Sequence, residues 1–295
     1  MDRIAFVFSG QGDQYPGMGK ELYEQYKSAA RVFDRCERLR PGTLRQCFEG
    51  TEEELRKTGN TQPCLFALEL AVASVLEERG IRPMAVAGFS LGEVTAAAEA
   101  GIFDLETGFR LVCVRGKLME EAAEKFDTSM AAVVKLSEKR VVELCEEYPD
   151  VYPVNFNAPG QVAVSGLSAQ MREFSKKVRE AGGRAIPLKV QGAFHSPFMK
   201  EAAVSFEKEL LGVTFQKHTI PLYSNVTAEA YAEKGKELLS RQICSPVQWE
   251  RLVRNMIRDG VNTFIEIGPG KTLTNLIGKI QPEVKTTSLI ELELS

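Results

Sequence analysis

The sequence predicts an α/β protein: a large domain built on a parallel sheet, interrupted by a smaller inserted unit. Three observations lead there. Short β-rich runs alternate with longer amphipathic helical stretches through the first 126 residues, as when strands are joined by crossover helices. From Ser129 the order changes to strand, helix, strand, strand, helix, strand, and afterwards the alternation resumes. A chain of 295 residues also exceeds the usual single-domain size, so a large domain carrying an insertion accommodates it. The expected division is 1–127 with 194–295 for the large domain and 128–193 for the small one.

The first strand is the apolar run Ile4–Phe8, ended at once by Ser9 and Gly10 and too short to be a signal-peptide core. Helical periodicity follows at 19–38 and 63–79, a strand at 85–87, and helices from Gly92 and Leu105. The insertion reads as strand 130–136, helix 138–147, strands 152–157 and 161–165, helix 168–181 and strand 184–190, a βαββαβ order that resembles a ferredoxin-like subdomain. Then come a helix at 197–211, a strand at 220–224, a connecting turn near Gly235, a helix at 246–259, a strand at 263–267 and a closing helix.

Composition narrows the function classes. With 44% apolar and 26% charged residues, and no stretch of about 18 apolar residues, the chain reads as a soluble cytoplasmic protein without a membrane span. Six scattered cysteines lack a C-x-x-C pair and have only His195 and His218 for company, so neither a zinc site nor a disulfide framework is indicated. A net charge of −3 gives no reason to expect nucleic acid.

The strongest chemical signal is Gly88-Phe89-Ser90-Leu91-Gly92, set between an apolar run and an alanine-rich helix. This is G-x-S-x-G in a strand, turn and helix setting, where a sharp turn holds the serine oxygen at the carboxyl end of a sheet. A plain turn with a capping serine is the alternative. A serine hydroxyl needs a base to act as a nucleophile. His195, in a loop between the insertion and the next helix, is the better placed of the two histidines; His218 reads as a solvated residue.

Phe8-Ser9-Gly10-Gln11-Gly12 also leads from a strand to a helix, at the edge where α/β proteins bind ligands. It lacks the third glycine of a dinucleotide fingerprint, and Gly268-Pro269-Gly270-Lys271-Thr272 is half a P-loop with Ile265 in place of the first glycine, so neither points to nucleotides. Arg115 shares an apolar helical face with Leu111, Leu118, Met119 and Ala122. A buried guanidinium needs an anionic partner, either Glu69 or a bound carboxylate.

Taken together, these residues resemble the malonyl-CoA:acyl carrier protein transacylases and the related polyketide synthase acyltransferase domains. The resemblance covers essentially the whole chain. It rests on Phe8-Ser9-Gly10-Gln11-Gly12 with Gln14, Thr61-Gln62-Pro63, 88–93, Arg115-Gly116-Lys117-Leu118-Met119, 155–160, Phe194-His195-Ser196, Ser224-Asn225-Val226, Pro246-Val247-Gln248-Trp249 and Glu266-Ile267-Gly268-Pro269-Gly270.

The resemblance implies an α/β-hydrolase-like large domain with Ser90 as acyl acceptor and His195 as base, the latter oriented by a main-chain carbonyl near Gln248. It further implies Arg115 on the malonyl carboxylate, the amides of Gln11 and Leu91 as oxyanion hole, and Gln62, Phe194, Asn157 and Gln248 among the substrate-binding residues. Ala193-Phe194-His195 resembles the segment of malonyl-selective enzymes. Malonyl-CoA and acyl carrier protein are the implied partners, in fatty acid or polyketide synthesis, with no cofactor because the pantetheine belongs to the carrier. One departure is Phe89, where many relatives have histidine. Two alternatives stand beside this reading: a serine hydrolase or acyl-thioester editing enzyme, and a non-catalytic carrier-binding module.

Overall fold

Strand β1 (Ile4–Phe8) reads as an unbroken apolar run because both its faces are covered, Phe6 and Phe8 by one core cluster and Ala5 and Val7 by another. The computed structural model describes residues 2–190, 192–232 and 235–288. After β1 come α1 (Lys20–Gln25), α2 (Lys27–Leu39), α3 (Thr43–Glu49), α4 (Glu52–Arg56) and α5 (Thr58–Glu78), then β2 (Ala85–Gly88), α6 (Leu91–Glu99) and α7 (Leu105–Ala123). A second group follows: β3 (Thr128–Val134), α8 (Glu138–Glu146), β4 (Val151–Ala158), β5 (Gln161–Leu167), α9 (Ser168–Glu180) and β6 (Arg184–Pro187). The chain then runs through α10 (Lys200–Leu211), β7 (Leu222–Tyr223), α11 (Gly235–Arg241), α12 (Trp249–Arg258), β8 (Thr263–Ile267), α13 (Thr272–Ile280) and β9 (Lys285–Ser288).

Two sheets result. The larger is parallel throughout, in the order β7-β2-β1-β8-β9; the smaller is antiparallel, in the order β4-β5-β3-β6. The α/β class and the βαββαβ element order expected from the sequence are both present.

Several boundaries differ from the sequence expectation, for local physical reasons. The helix expected at 19–38 is broken at Tyr26, whose backbone is extended (φ −118°, ψ 118°). Helix α5 begins five residues before Pro63, the residue that reads as its start. Its first turn is polar and gives no apolar periodicity, yet Thr61 is held by Oγ1 donating to Lys57 O at 3.0 Å. The strand expected at 184–190 ends at Pro187, the one at 220–224 keeps only two residues, and the helix expected from 246 starts at Trp249. Gly235 opens helix α11 where a turn was expected. Among the described residues a ninth strand, the polar Lys285–Ser288, follows the closing helix and pairs with β8 alone, an edge position that requires no apolar alternation.

The packing of α6 on the sheet positions the site. Strands β1 and β2 are neighbours in the register Phe8↔Gly88, so the loops after them emerge side by side at the carboxyl edge. A methyl group on Gly88 would lie 1.8 Å from the Gly92 carbonyl carbon, and one on Gly92 would lie 2.3 Å from Phe8 O. Both contacts are with main chain. Only glycine lets the helix start this close to the strands.

Gly88→Ala is therefore expected to destabilise the protein by on the order of 3 kcal/mol or more, because backbone cannot move aside as a flexible side chain would. Chemical denaturation measures this; a loss below about 1 kcal/mol would show that the turn relaxes.

Candidate active site

Ser90 sits between β2 and α6 with φ 55° and ψ −108°, a conformation L-residues rarely adopt. Its backbone is held from the opposite side of the chain. The Ser90 amide donates to Asn225 Oδ1 at 2.8 Å, Asn225 Nδ2 donates to Gly88 O at 2.6 Å, and Gln242 Nε2 donates to Ser90 O. With its main chain fixed, the side chain is directed out of the turn.

Ser90 Oγ lies 2.8 Å from His195 Nε2. His195 Nδ1 lies 2.8 Å from the main-chain oxygen of Gln242. A carbonyl only accepts, so Nδ1 carries the proton and Nε2 is left free to receive the serine's. Burial, with the charge of Arg115 adding to it, lowers the His195 pKa to about 4, which keeps the ring neutral and ready as a base. The orienting carbonyl therefore belongs to Gln242 and not to the neighbourhood of Gln248. Gln248 precedes α12, its own amide donating to Asn225 O at 2.9 Å and its carbonyl accepting from Leu252. The 3-10 turn Gln242–Cys244 that closes α11 brings the right carbonyl to the imidazole, and Ile243 O accepts the His195 amide at 3.2 Å.

Arg115 is fully buried on α7. Its Nη2 donates to Ser90 Oγ at 3.2 Å and to Gln242 Oε1 at 2.7 Å, while Nε and Nη1 have no partner. Glu69 does not pair with it. That carboxyl accepts from Ser9 Oγ at 2.8 Å and Thr95 Oγ1 at 2.6 Å, and burial pushes its pKa up to about 8. The acid nearest in the network is Glu93, which accepts from Tyr231 Oη at 2.6 Å, Gln242 Nε2 at 2.9 Å and the Asn225 amide at 3.3 Å. Burial raises the Glu93 pKa to about 7 against the opposing pull of Arg115, and lowers that of Arg115 to about 10. A charged guanidinium with two unsatisfied nitrogens thus sits beside the nucleophile, suited to an acyl group that carries an anion.

The other expected residues are distributed around this centre. Gln11 Oε1 accepts from Gln62 Nε2 at 3.2 Å, while Gln62 Oε1 is buried without a partner. Among the described residues the main-chain amides of Gln11 and Leu91 donate to no protein acceptor. A cavity of about 340 Å³ runs along the loop 9–13 past Phe89 and Asn157 to Leu188 and Leu276, with one wall from each sheet's neighbourhood. The side chains of Asn155 and Asn157 are more than nine-tenths buried there, and both Oδ1 atoms lack partners. Phe194 is buried in the main core, beside the base in sequence. Phe89 packs its ring edge on Trp249, centroids 5.4 Å apart, and closes on Gly10. His218 adjoins Thr219, whose amide bonds Ala100 at the far end of α6, about 15 Å of helix away from Ser90.

Sequence reading missed Gln242 and gave no role to Glu93, Tyr231 or Asn225. The available signals were the motif Ser224-Asn225-Val226 and the end of the motif 88–93, which contains Glu93; Tyr231 and Gln242 stand in no motif at all. Among the described residues no group of three or more His, Cys, Asp or Glu side chains is arranged to hold a metal ion.

Comparison with known proteins places this geometry in context. The acyl transferase domain model matches residues 5–290. The chain is 39% identical over 301 residues to the malonyl CoA-acyl carrier protein transacylase of Bacillus subtilis strain 168, covering 99% of this chain and 95% of that one. It superposes with a TM-score of 0.95 and 35% identity on the corresponding transacylase of Clostridium perfringens, covering 99% and 94% of the two chains. It also superposes, with a TM-score of 0.94 and 33% identity over 98% of this chain and 96% of the other, on a malonyl-transacylase solved with its type II PKS acyl-carrier protein.

With an imidazole pKa near 4, the acid limb of Ser90 acylation by an activated ester is expected well below the 6.5 of a free imidazole. His195→Ala should slow that acylation at least about a hundredfold and His218→Ala should leave it nearly unchanged. An acid limb at 6.5, or equal losses in the two variants, would contradict the assignment of the base.

Proposed function

The chain belongs to the acyl transferase family and, within it, to the malonyl CoA-acyl carrier protein transacylases; from that premise we propose that Ser90 carries a malonyl group from coenzyme A to the pantetheine thiol of an acyl carrier protein. The observation that carries the reading is Arg115. Its guanidinium lies 3.2 Å from the Ser90 oxygen and has two nitrogens without partners, and a carboxylate is what distinguishes malonyl from acetyl.

The reaction proceeds in two halves. His195 Nε2 takes the Ser90 proton as Oγ attacks the thioester carbonyl, and the amides of Gln11 and Leu91 hold the oxyanion. When the tetrahedral intermediate collapses the carbon–sulfur bond breaks, and the departing thiolate of coenzyme A takes the proton from Nε2. The carrier's thiol then enters, gives its proton to His195 and attacks the malonyl ester; Ser90 leaves and recovers the proton. The Gln242 carbonyl supports the transient imidazolium through Nδ1–H, the role expected near Gln248. Gln62, Asn155 and Asn157 offer unpaired carbonyl oxygens to amide N–H groups of the pantetheine arm.

Residues 1–127 and 194–295 form the catalytic unit in this reading, and 128–193 supply the second wall of the channel. Ester exchange of this kind asks for no metal or redox group; the pantetheine belongs to the partner. Among the described residues no helix is long and apolar enough to cross a membrane, and six free cysteines fit a reducing, cytoplasmic location. The hydrolase and carrier-binding alternatives are not favoured, since the relatives are transacylases and both Ser90 and His195 are in bonding contact.

Intact mass should show a malonyl adduct on the wild-type protein and none on Ser90→Ala; an undiminished adduct in the variant would remove Ser90 as nucleophile. Arg115→Ala should lower the ratio of malonyl to acetyl transfer efficiency by about a hundredfold, the scale of a lost charge-assisted pair. An unchanged ratio would remove Arg115 from acyl selection. Phe194 should make malonyl preferred over methylmalonyl by roughly 10 to 200-fold, the range open to a single added carbon, and comparable efficiencies would count against that.

A further inference from the structure

Glu93 has no part in the bond-making steps, yet it is fully buried and bonded to Asn225 and Gln242, the two residues that hold the Ser90 backbone. One oxygen accepts from Tyr231 at 2.6 Å; the other accepts from Gln242 Nε2 at 2.9 Å and from the Asn225 amide at 3.3 Å. Gln242 lies between two charges of opposite sign. Its Oε1 accepts from Arg115 Nη2 at 2.7 Å while its Nε2 faces Glu93, and the reverse orientation would set N–H against guanidinium and oxygen against carboxylate. Among the described residues Arg115 makes no direct ion pair, so the carboxylate beyond this amide is what balances its charge in the free site.

We propose that Glu93 is the resident counter-ion of Arg115 and sets acyl selectivity as a positioning residue: the guanidinium exchanges it for the carboxylate of the incoming malonyl group, and Glu93 takes up a proton from solvent as that carboxylate arrives. This rests on the malonyl-transfer reading and deepens it. Two carboxylates around one buried guanidinium cannot both stay ionised at no cost, so the second charge drives protonation of the first. An acetyl group brings no charge and takes up no proton.

The neighbouring titratable groups leave Glu93 to respond. Arg115 from α7 stays charged to about 10, His195 is neutral above about 4, and burial with the adjacent Glu93 raises Tyr231 well above its ordinary range. Glu69 from α5 reaches α6 at Thr95 and titrates near 8, but it bonds Ser9 and Thr95 and not the Arg115 network. Burial raises Glu93 to about 7, so above that pH the free site holds it ionised. Malonyl binding should then weaken as pH rises, because the proton it requires becomes harder to supply.

Calorimetric titration of Ser90→Ala protein at pH 8, in two buffers of different ionisation enthalpy, counts the protons taken up. We expect malonyl-CoA to take up about half a proton or more beyond acetyl-CoA, whose coenzyme moiety is the same. The ratio of malonyl to acetyl affinity should fall roughly fivefold to tenfold between about pH 7 and 9. Adding Glu93→Gln should abolish the extra uptake and flatten the ratio, whereas adding Glu69→Gln should change neither. Equal uptake for the two thioesters, or uptake persisting in Glu93→Gln, overturns the proposal; the comparison of thioesters needs no Glu93 variant and stands even if that variant fails to fold. Binding without extra uptake overturns the Glu93 role alone, while no binding of malonyl-CoA overturns the malonyl reading and this role with it.

Discussion

The backbone of Ser90, turned to φ 55° and ψ −108°, is the constraint around which the site is arranged. A conformation of this kind persists only where its surroundings over-determine it. Here Gly88 and Gly92 leave the space the turn occupies, and Asn225 and Gln242 take up the Ser90 amide and carbonyl. The strained turn, the close approach of α6 to β1 and β2, and the exposure of the serine oxygen are one feature seen at three scales.

One of these two residues also serves the electrostatics. Gln242 uses its side-chain oxygen on Arg115, its side-chain nitrogen on Ser90 and Glu93, and its main-chain oxygen on His195. One residue therefore couples nucleophile, base and anion site. Burial makes each of these contacts matter more, since an unpaired polar group in such a place costs several times what a surface one does. It also explains how a base and a positive charge coexist near one oxygen: the imidazole is held neutral, and the charge is kept on a guanidinium whose affinity for its proton remains far above neutral pH.

The two sheets divide the remaining work. The parallel sheet supplies the loop 9–13, the Ser90 turn and the start of α13, all at its carboxyl edge. The antiparallel sheet closes the cavity from the other side with Asn155, Asn157 and the residues after β6. A long flexible arm ending in a thioester or thiol needs such a cavity, walled on both sides and reaching Phe89, the neighbour of the nucleophile.

Much of this was legible in the sequence because it is written locally. The Gly88-to-Gly92 turn needs residue types within five positions, the alternation of strands and helices needs periodicity within about ten, and Arg115 shows as a charge on an apolar helical face. His195 followed by elimination between two histidines. What the tertiary structure alone decided is which groups complete the site. Glu69 was the protein partner expected for a buried arginine until packing gave it to Ser9 and Thr95 and set Glu93, to which the sequence assigned no role, behind Gln242. The orienting carbonyl fell six residues from where the sequence motif placed it, on a turn closing α11, the helix that Gly235 had disguised as a loop. Gln242 meets Ser90 across 152 positions of chain and His195 across 47, and contacts at such separations are set by how helices pack, which leaves no periodic trace in the residues themselves.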